Sequence, residues 1–146
     1  MLRNNLLSLA AHAIVLIFSG LLSSMAGRQP LWIYFVVLLS FFGYALFGYL
    51  YMHQMRTSLQ NFASVSLASL IGLLIGVYCW SFPSLMGFNW MIFLFYNLYA
   101  FLLADFVPFS PEPKLTIWFF IVPSLFLWIG MGLNSRKMYP SKKIKD

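Results

Sequence analysis

The chain has 146 residues, 62% of them hydrophobic and only 8% charged, with nine Lys and Arg against three Asp and Glu. Soluble domains carry about a quarter charged residues, and so few charges could not cover this much apolar surface in water. The composition excludes an ordinary soluble enzyme, and the single Cys79 excludes an intrachain disulfide or a multi-cysteine metal site.

Five apolar stretches fill almost all of the sequence: Leu6–Met25, Leu31–Met52, Phe62–Phe82, Phe88–Val107 and Leu115–Leu133. At about 1.5 Å per helical residue, stretches of this length cover a hydrocarbon core of about 30 Å. A transmembrane barrel would alternate polar and apolar residues in segments of about ten, and runs such as Ala13–Phe18 and Leu67–Val77 do not. The expected fold class is all-α: a polytopic helical membrane protein, a bundle of about five transmembrane helices. Residues 1–133 form its single domain, and residues 134–146 a basic juxtamembrane tail.

The first stretch carries a polar stripe. At 100° per residue, Asn5, Ser8, His12, Ser19 and Ser23 fall within an arc of roughly 60°, a face expected to point into the bundle or at a partner. Residues 1–26 also fit a signal peptide, with Arg3 as n-region, Leu6–Leu22 as h-region and Ser24-Met25-Ala26 as cleavage site. The length of the apolar run, and His12 within it, favour a retained span.

The second stretch begins at Trp32 and ends at Tyr49 and Tyr51, an aromatic belt at each interface, and His53 and Arg56 follow. The third carries Ser64, Ala68, Gly72 and Gly76 at four-residue spacing, a flat helix-packing seam for a helix of this chain or of a second copy. Cys79 there reads as a small hydrophobe. Trp80 and Trp90 join the belt on the side of Trp32, and Pro83-Ser84-Leu85-Met86-Gly87 has the residues of a tight turn.

Asn89, Phe93, Asn97, Ala100 and Ala104 form a second stripe on the fourth stretch, where Asn97 is expected to hydrogen-bond across helices. Asn89, Asn97 and Asp105 lower its hydropathy, so it is the stretch whose crossing is least assured. Without it, the N-terminus and the tail share a side. In the fifth stretch Pro123 deletes a backbone hydrogen bond and crowds the carbonyl of Phe119, predicting a hinge. Gly130 and Gly132 follow near its end.

The tail holds five of the nine basic residues, Arg136, Lys137, Lys142, Lys143 and Lys145. Its expected partner is a bilayer with anionic headgroups; nucleic-acid binding would need a folded basic face or recognition motif that is not evident. If all five stretches cross, six basic residues lie on the tail's side and three on the other. The positive-inside bias then puts the C-terminus in the cytoplasm and the N-terminus outside a cell (cytoplasmic) membrane.

The same parity gathers His12, His53, Arg56 and Asp105, with Glu112, near one surface. Three uses are open: interhelical pairing of Asp105 with Arg56 or His12, a proton or cation entry, or a metal site of His12, His53 and Asp105. No spaced ligand motif, phosphate-binding glycine loop or nucleophile elbow supports catalysis, and the Ser8–His12 pair reads as coincidence. No cofactor is expected. The leading function is a non-enzymatic accessory, regulatory or immunity-type subunit that binds another membrane protein, or itself, by helix–helix contact. The alternative is a small oligomeric transporter or channel subunit with a His12/Asp105 entrance.

Overall fold

The computed structural model describes residues 1–25, 29–82, 86–104 and 117–138. Helices α1 (Leu2–Met25) and α2 (Pro30–Tyr51), of 24 and 22 residues, are long and apolar enough to cross a membrane. Pro30 opens α2, where a fixed φ and a missing N–H suit the first helical turn. Then come α3 (Ser58–Ala63), α4 (Leu67–Ser81), α5 (Met86–Tyr96), α6 (Leu98–Ala104), a 3-10 turn (Ile117–Ile121) and α7 (Val122–Met138). Every described element is helical, so the all-α class holds. The expectation of five uninterrupted spans is corrected at three places.

The third stretch is broken at residues 64–66. Ser64 Oγ donates to Asn61 O (2.8 Å) and Ser66 Oγ to Ala63 O (3.0 Å), hydroxyl bonds to backbone carbonyls that compete with a continuous helical ladder. Asn5 of α1 takes over the restart, its Oδ1 accepting the Leu67 N–H (3.2 Å). The fourth stretch is broken at Asn97 into pieces of 11 and seven residues, neither of which spans about 30 Å alone. The fifth has no hinge in mid-helix. Pro123 is the second residue of α7, just after the 3-10 turn, where a missing N–H disrupts little. The Phe119 carbonyl it leaves free accepts from the Tyr99 hydroxyl at 2.7 Å.

The most extensive helix pair is α2 with α7, and it is parallel. Phe41 stacks on Phe126, Ala45 meets Gly130, and Asn134 Nδ2 donates to Tyr49 O, so the contacts advance together along both chains. Helices α1 and α2 run antiparallel, with His12 at Tyr44 and Ser19 at Ser40. Helix α4 is antiparallel to α7, with Val65 at Ser124 and Gly72 at Phe120. Five alternating spans would make the second and fifth antiparallel, so the parity expected from the sequence fails. The start of α1 and the end of α7 lie at the same end of the bundle: Asn4 bonds His53, and Gln54 bonds Met131.

The fourth stretch accounts for the difference. Helix α5 runs back along α4 from Asn89 at Cys79 to Tyr96 at Ala68. Beyond Asn97 the chain does not continue to the end that holds Asn4. Leu98 instead faces Gly20 of α1, and Tyr99 packs on Phe41 and Phe119. The core is formed where these pieces meet α2 and α7, around Val36, Tyr44, Tyr99, Leu127 and Met131.

Candidate functional site

Two polar regions are built into the helices. The first is at the end holding both α1's start and α7's finish. Asn4 is buried there, and its amide engages His53 on both sides: Nδ2 donates to His53 O (2.7 Å) while Oδ1 accepts the His53 N–H (3.1 Å). The same Nδ2 lies 3.1 Å from Ser64 Oγ. Asn61 Oδ1 accepts the Met55 N–H (2.6 Å), and Thr57 caps α3 by accepting the Gln60 N–H (3.2 Å). These bonds fold the α2–α3 connection over the bundle end. The side chains of His53 and Arg56 are left exposed.

The second region is internal. His12, buried on α1, has Nδ1 2.8 Å from the Tyr44 hydroxyl of α2, and the Tyr96 ring of α5 lies 4.4 Å from its own. Nε2 of His12 has no hydrogen-bond partner among the described residues. Tyr96 donates to Ala68 O (2.7 Å), tying α5 to α4. Farther along α1, the Ser19 and Ser40 hydroxyls lie 2.6 Å apart and also bond the carbonyls of Val15 and Val36.

The ionisable cluster expected from the sequence is only partly tested. No hydrogen bond or ring contact joins His12 to His53 or Arg56; His12 is inside the bundle and the other two are exposed at its end. Asp105 and Glu112 lie outside the described residues, as do Lys142, Lys143 and Lys145. Arg136 and Lys137, read as part of the basic juxtamembrane tail, belong to the last turns of α7. Among the described residues, no three His, Cys, Asp or Glu side chains come together to hold a metal ion.

Asn97 is fully buried but does not bond across helices as expected. Its Nδ2 donates to Phe93 O (3.1 Å) in the preceding turn, and its Oδ1 receives the Tyr99 hydroxyl (2.8 Å). The helix break beside it supplies local partners that a continuous span would not. Tyr99 also reaches Phe119 O, so a single hydroxyl proton is shared between two acceptors.

The seam of Ser64, Ala68, Gly72 and Gly76 is buried within the chain. A methyl added at Gly72 would lie 3.1 Å from the Tyr96 ring and 3.3 Å from Phe120 Cβ. The chain's own α5 and 3-10 turn occupy that face, so it is not a docking face for a second copy or a partner. Trp90 is buried as well, stacked edge-on with Phe93, and is no belt residue.

Sequence reasoning missed Asn4, which lies just outside the apolar stretch, and the Gly48–Gly130 crossing. Methyls at those glycines would meet the backbone of the facing helix, 2.9 Å from the Leu127 carbonyl carbon and 2.8 Å from that of Ala45. Gly48 lies in a run of aromatic and aliphatic residues without a four-residue small-residue repeat, so only the parallel pairing reveals it. No protein-family model, curated protein or solved structure matches the chain.

Proposed function

We propose that the chain is a multi-pass membrane protein in which α1, α2, α4 and the 3-10 turn with α7 cross the bilayer. In this reading α5 and α6 form a half-crossing that returns to the side it entered. The observation that carries it is the parallel pairing of α2 with α7, which requires an odd number of crossings between them. Charge supports it. Connectivity then assigns Arg3, Arg56, Arg136, Lys137, Lys142, Lys143 and Lys145 to one side, against Arg28 and Lys114 on the other. Seven against two is a steeper positive-inside bias than the five-span arrangement offers, and it puts both termini in the cytoplasm of a cell membrane. Single-cysteine variants near residue 2 and residue 145, in a Cys79→Ser background, are expected to react with an impermeant maleimide only after inverting or opening the cells. Labelling of one terminus alone in intact cells would return the five-span arrangement.

Within that arrangement we propose an accessory or regulatory role, immunity-type proteins included, exercised by helix–helix contact with another membrane protein. The support is the use made of the internal polar groups. Asn4, Asn5, Ser69, Ser124, Tyr96 and Tyr99 bond backbone atoms of neighbouring helices, so they hold the bundle together rather than line a path. The partner-facing surface must then lie on the outer apolar faces, not on the Gly72 seam. Affinity purification in lipid nanodiscs is expected to return a stoichiometric second protein. A lone species would favour the alternative of a small transporter or channel subunit. The unpartnered Nε2 of buried His12 is the observation on that side. That alternative requires His12→Ala to abolish flux in reconstituted vesicles without loss of folding.

A further inference from the structure

At the bundle end that holds the start of α1 and the end of α7, the α2–α3 connection and α7 enclose a cleft of about 380 Å³, lined in part by Gln54, Met55, Arg56, Thr57, Trp128 and Ile129. Clefts of about 300–1,000 Å³ are the size that takes small organic ligands. Its two walls differ in chemistry. Arg56 and the hydroxyls of Thr57 and Ser58 form the polar wall, and Met55, Trp128 and Ile129 the apolar one. The Trp128 ring is fixed in place, donating from Nε1 to Ser58 O (3.3 Å) and meeting Phe62 edge-on. Gln54 is fixed by donating to Met131 O (2.8 Å).

Arg56 has no such tie. It is exposed, has no hydrogen-bond or ion-pair partner among the described residues, and those residues include no carboxylate. The Thr57 hydroxyl accepts the Gln60 N–H and keeps its own proton for an outside acceptor. A planar guanidinium beside two hydroxyl donors suits a tetrahedral oxyanion, which arginine holds through two parallel N–H bonds. From Ile129 back toward the middle of the bundle the exposed apolar residues are Ile121 and Trp118, the direction in which an acyl chain would run.

We infer that this cleft binds the phosphate of an anionic phospholipid, with Arg56 as the principal donor and the Trp128 wall against the glycerol and upper acyl chain. The inference rests on the membrane reading above, and it differs from a diffuse attraction between the basic tail and the bilayer. It assigns one residue and one lipid.

The test uses the full chain in a neutral detergent, incubated with phosphatidylglycerol, phosphatidylcholine or inorganic phosphate, with bound molecules counted by native mass spectrometry. One phosphatidylglycerol is expected to be retained in preference to phosphatidylcholine. Arg56→Gln is expected to lower that retention about tenfold, the scale of one charge-assisted bidentate contact. Arg3→Gln removes the same charge at the same end and is expected to change it by less than about twofold. Because Arg56 is exposed and has no partner among the described residues, its variant is expected to keep the melting temperature of the wild type. Equal losses in the two variants, or no loss in Arg56→Gln, would overturn the site. Displacement of the lipid by millimolar inorganic phosphate would make it a free-phosphate site and overturn the lipid assignment. Failure of the membrane reading itself is seen separately, as release of the protein from native membranes by alkaline carbonate.

Discussion

The α2–α7 contact makes a quantitative prediction through its glycines. In Gly130→Ala the new methyl would press on the Ala45 carbonyl oxygen and stand 2.8 Å from its carbon and 2.9 Å from the Tyr49 nitrogen. All three are backbone atoms of α2, so no rotamer change relieves the clash. Ordinary van der Waals contact begins near 3.4 Å, and the helices must separate by at least about half an ångström. A gap of that size already forfeits about a quarter of the dispersion energy across the contact.

Overpacking of this kind costs about 1–3 kcal/mol, and alanine's better helix propensity returns up to about 1 kcal/mol. The expected net loss is about 1–2 kcal/mol, or roughly 2–8 °C in melting temperature for a chain of this size. Gly132 is the control, since a methyl there meets nothing within 4 Å. Gly132→Ala keeps the propensity gain without the clash and is expected to be neutral or slightly stabilising. Thermal unfolding of both variants in the same detergent, followed by tryptophan fluorescence, gives the comparison. Equal melting temperatures would refute the close parallel crossing, and with it the topology that depends on it.

Three further outcomes follow from the hydrogen bonds. Asn4→Ala strips the part-buried His53 N–H and C=O and the buried Ser64 Oγ of their shared partner, and is expected to cost about 1–3 kcal/mol; SDS-induced unfolding measures it, and no measurable loss would mean water already serves these groups. Tyr99→Phe leaves Phe119 O and Asn97 Oδ1 without their donor and is expected to cost about 1–3 kcal/mol, whereas the same change at exposed Tyr51 is expected to be silent in the same titration. Gly72→Leu is expected to prevent folding of the single chain, because Tyr96 and Phe120 fill the space; a folded, monomeric Gly72→Leu protein on size exclusion would show that the seam opens outward.

Composition and period carried the helical class, the first two helices of membrane-crossing length and the inward stripe of Ser8, His12 and Ser19, because each depends only on residues close in sequence. The interruptions were less legible. Ser64 was read as the start of a continuous packing seam, although Ser64 and Ser66 bond backward to the carbonyls of Asn61 and Ala63 and end a helix there. Asn97 was read as an interior residue of a continuous fourth stretch; it is buried, but the helix ends and restarts there. Its partners are set by a break that hydropathy does not report. Asn4 escaped notice because its role depends on His53, 49 residues away. Pro123 shows the same limit: a proline marks a missing bond, but whether the result is a hinge or a helix start depends on the 3-10 turn before it.

The breaks themselves bear on function. Backbone polar groups left free in a hydrocarbon core cost several kcal/mol each, so an interrupted helix persists there only if side chains replace the lost bonds. Under the proposed membrane reading, side chains of this chain meet that demand at the described interruptions. Phe93 O receives both the Asn97 amide and its side chain, Phe119 O receives Tyr99, and the Ser124 N–H finds Ser69 Oγ. Ser124 Oγ in turn donates to Val65 O at the start of α4. Most of the internal polar residues are therefore committed to carrying a half-length segment and two helix restarts inside the bundle. The exceptions are His12 Nε2, Asn89 Nδ2 and Trp90 Nε1, buried with no hydrogen-bond partner among the described residues. Under the proposed membrane reading, the surfaces left for the lipid and partner experiments to probe are the outer helix faces and the Arg56 end.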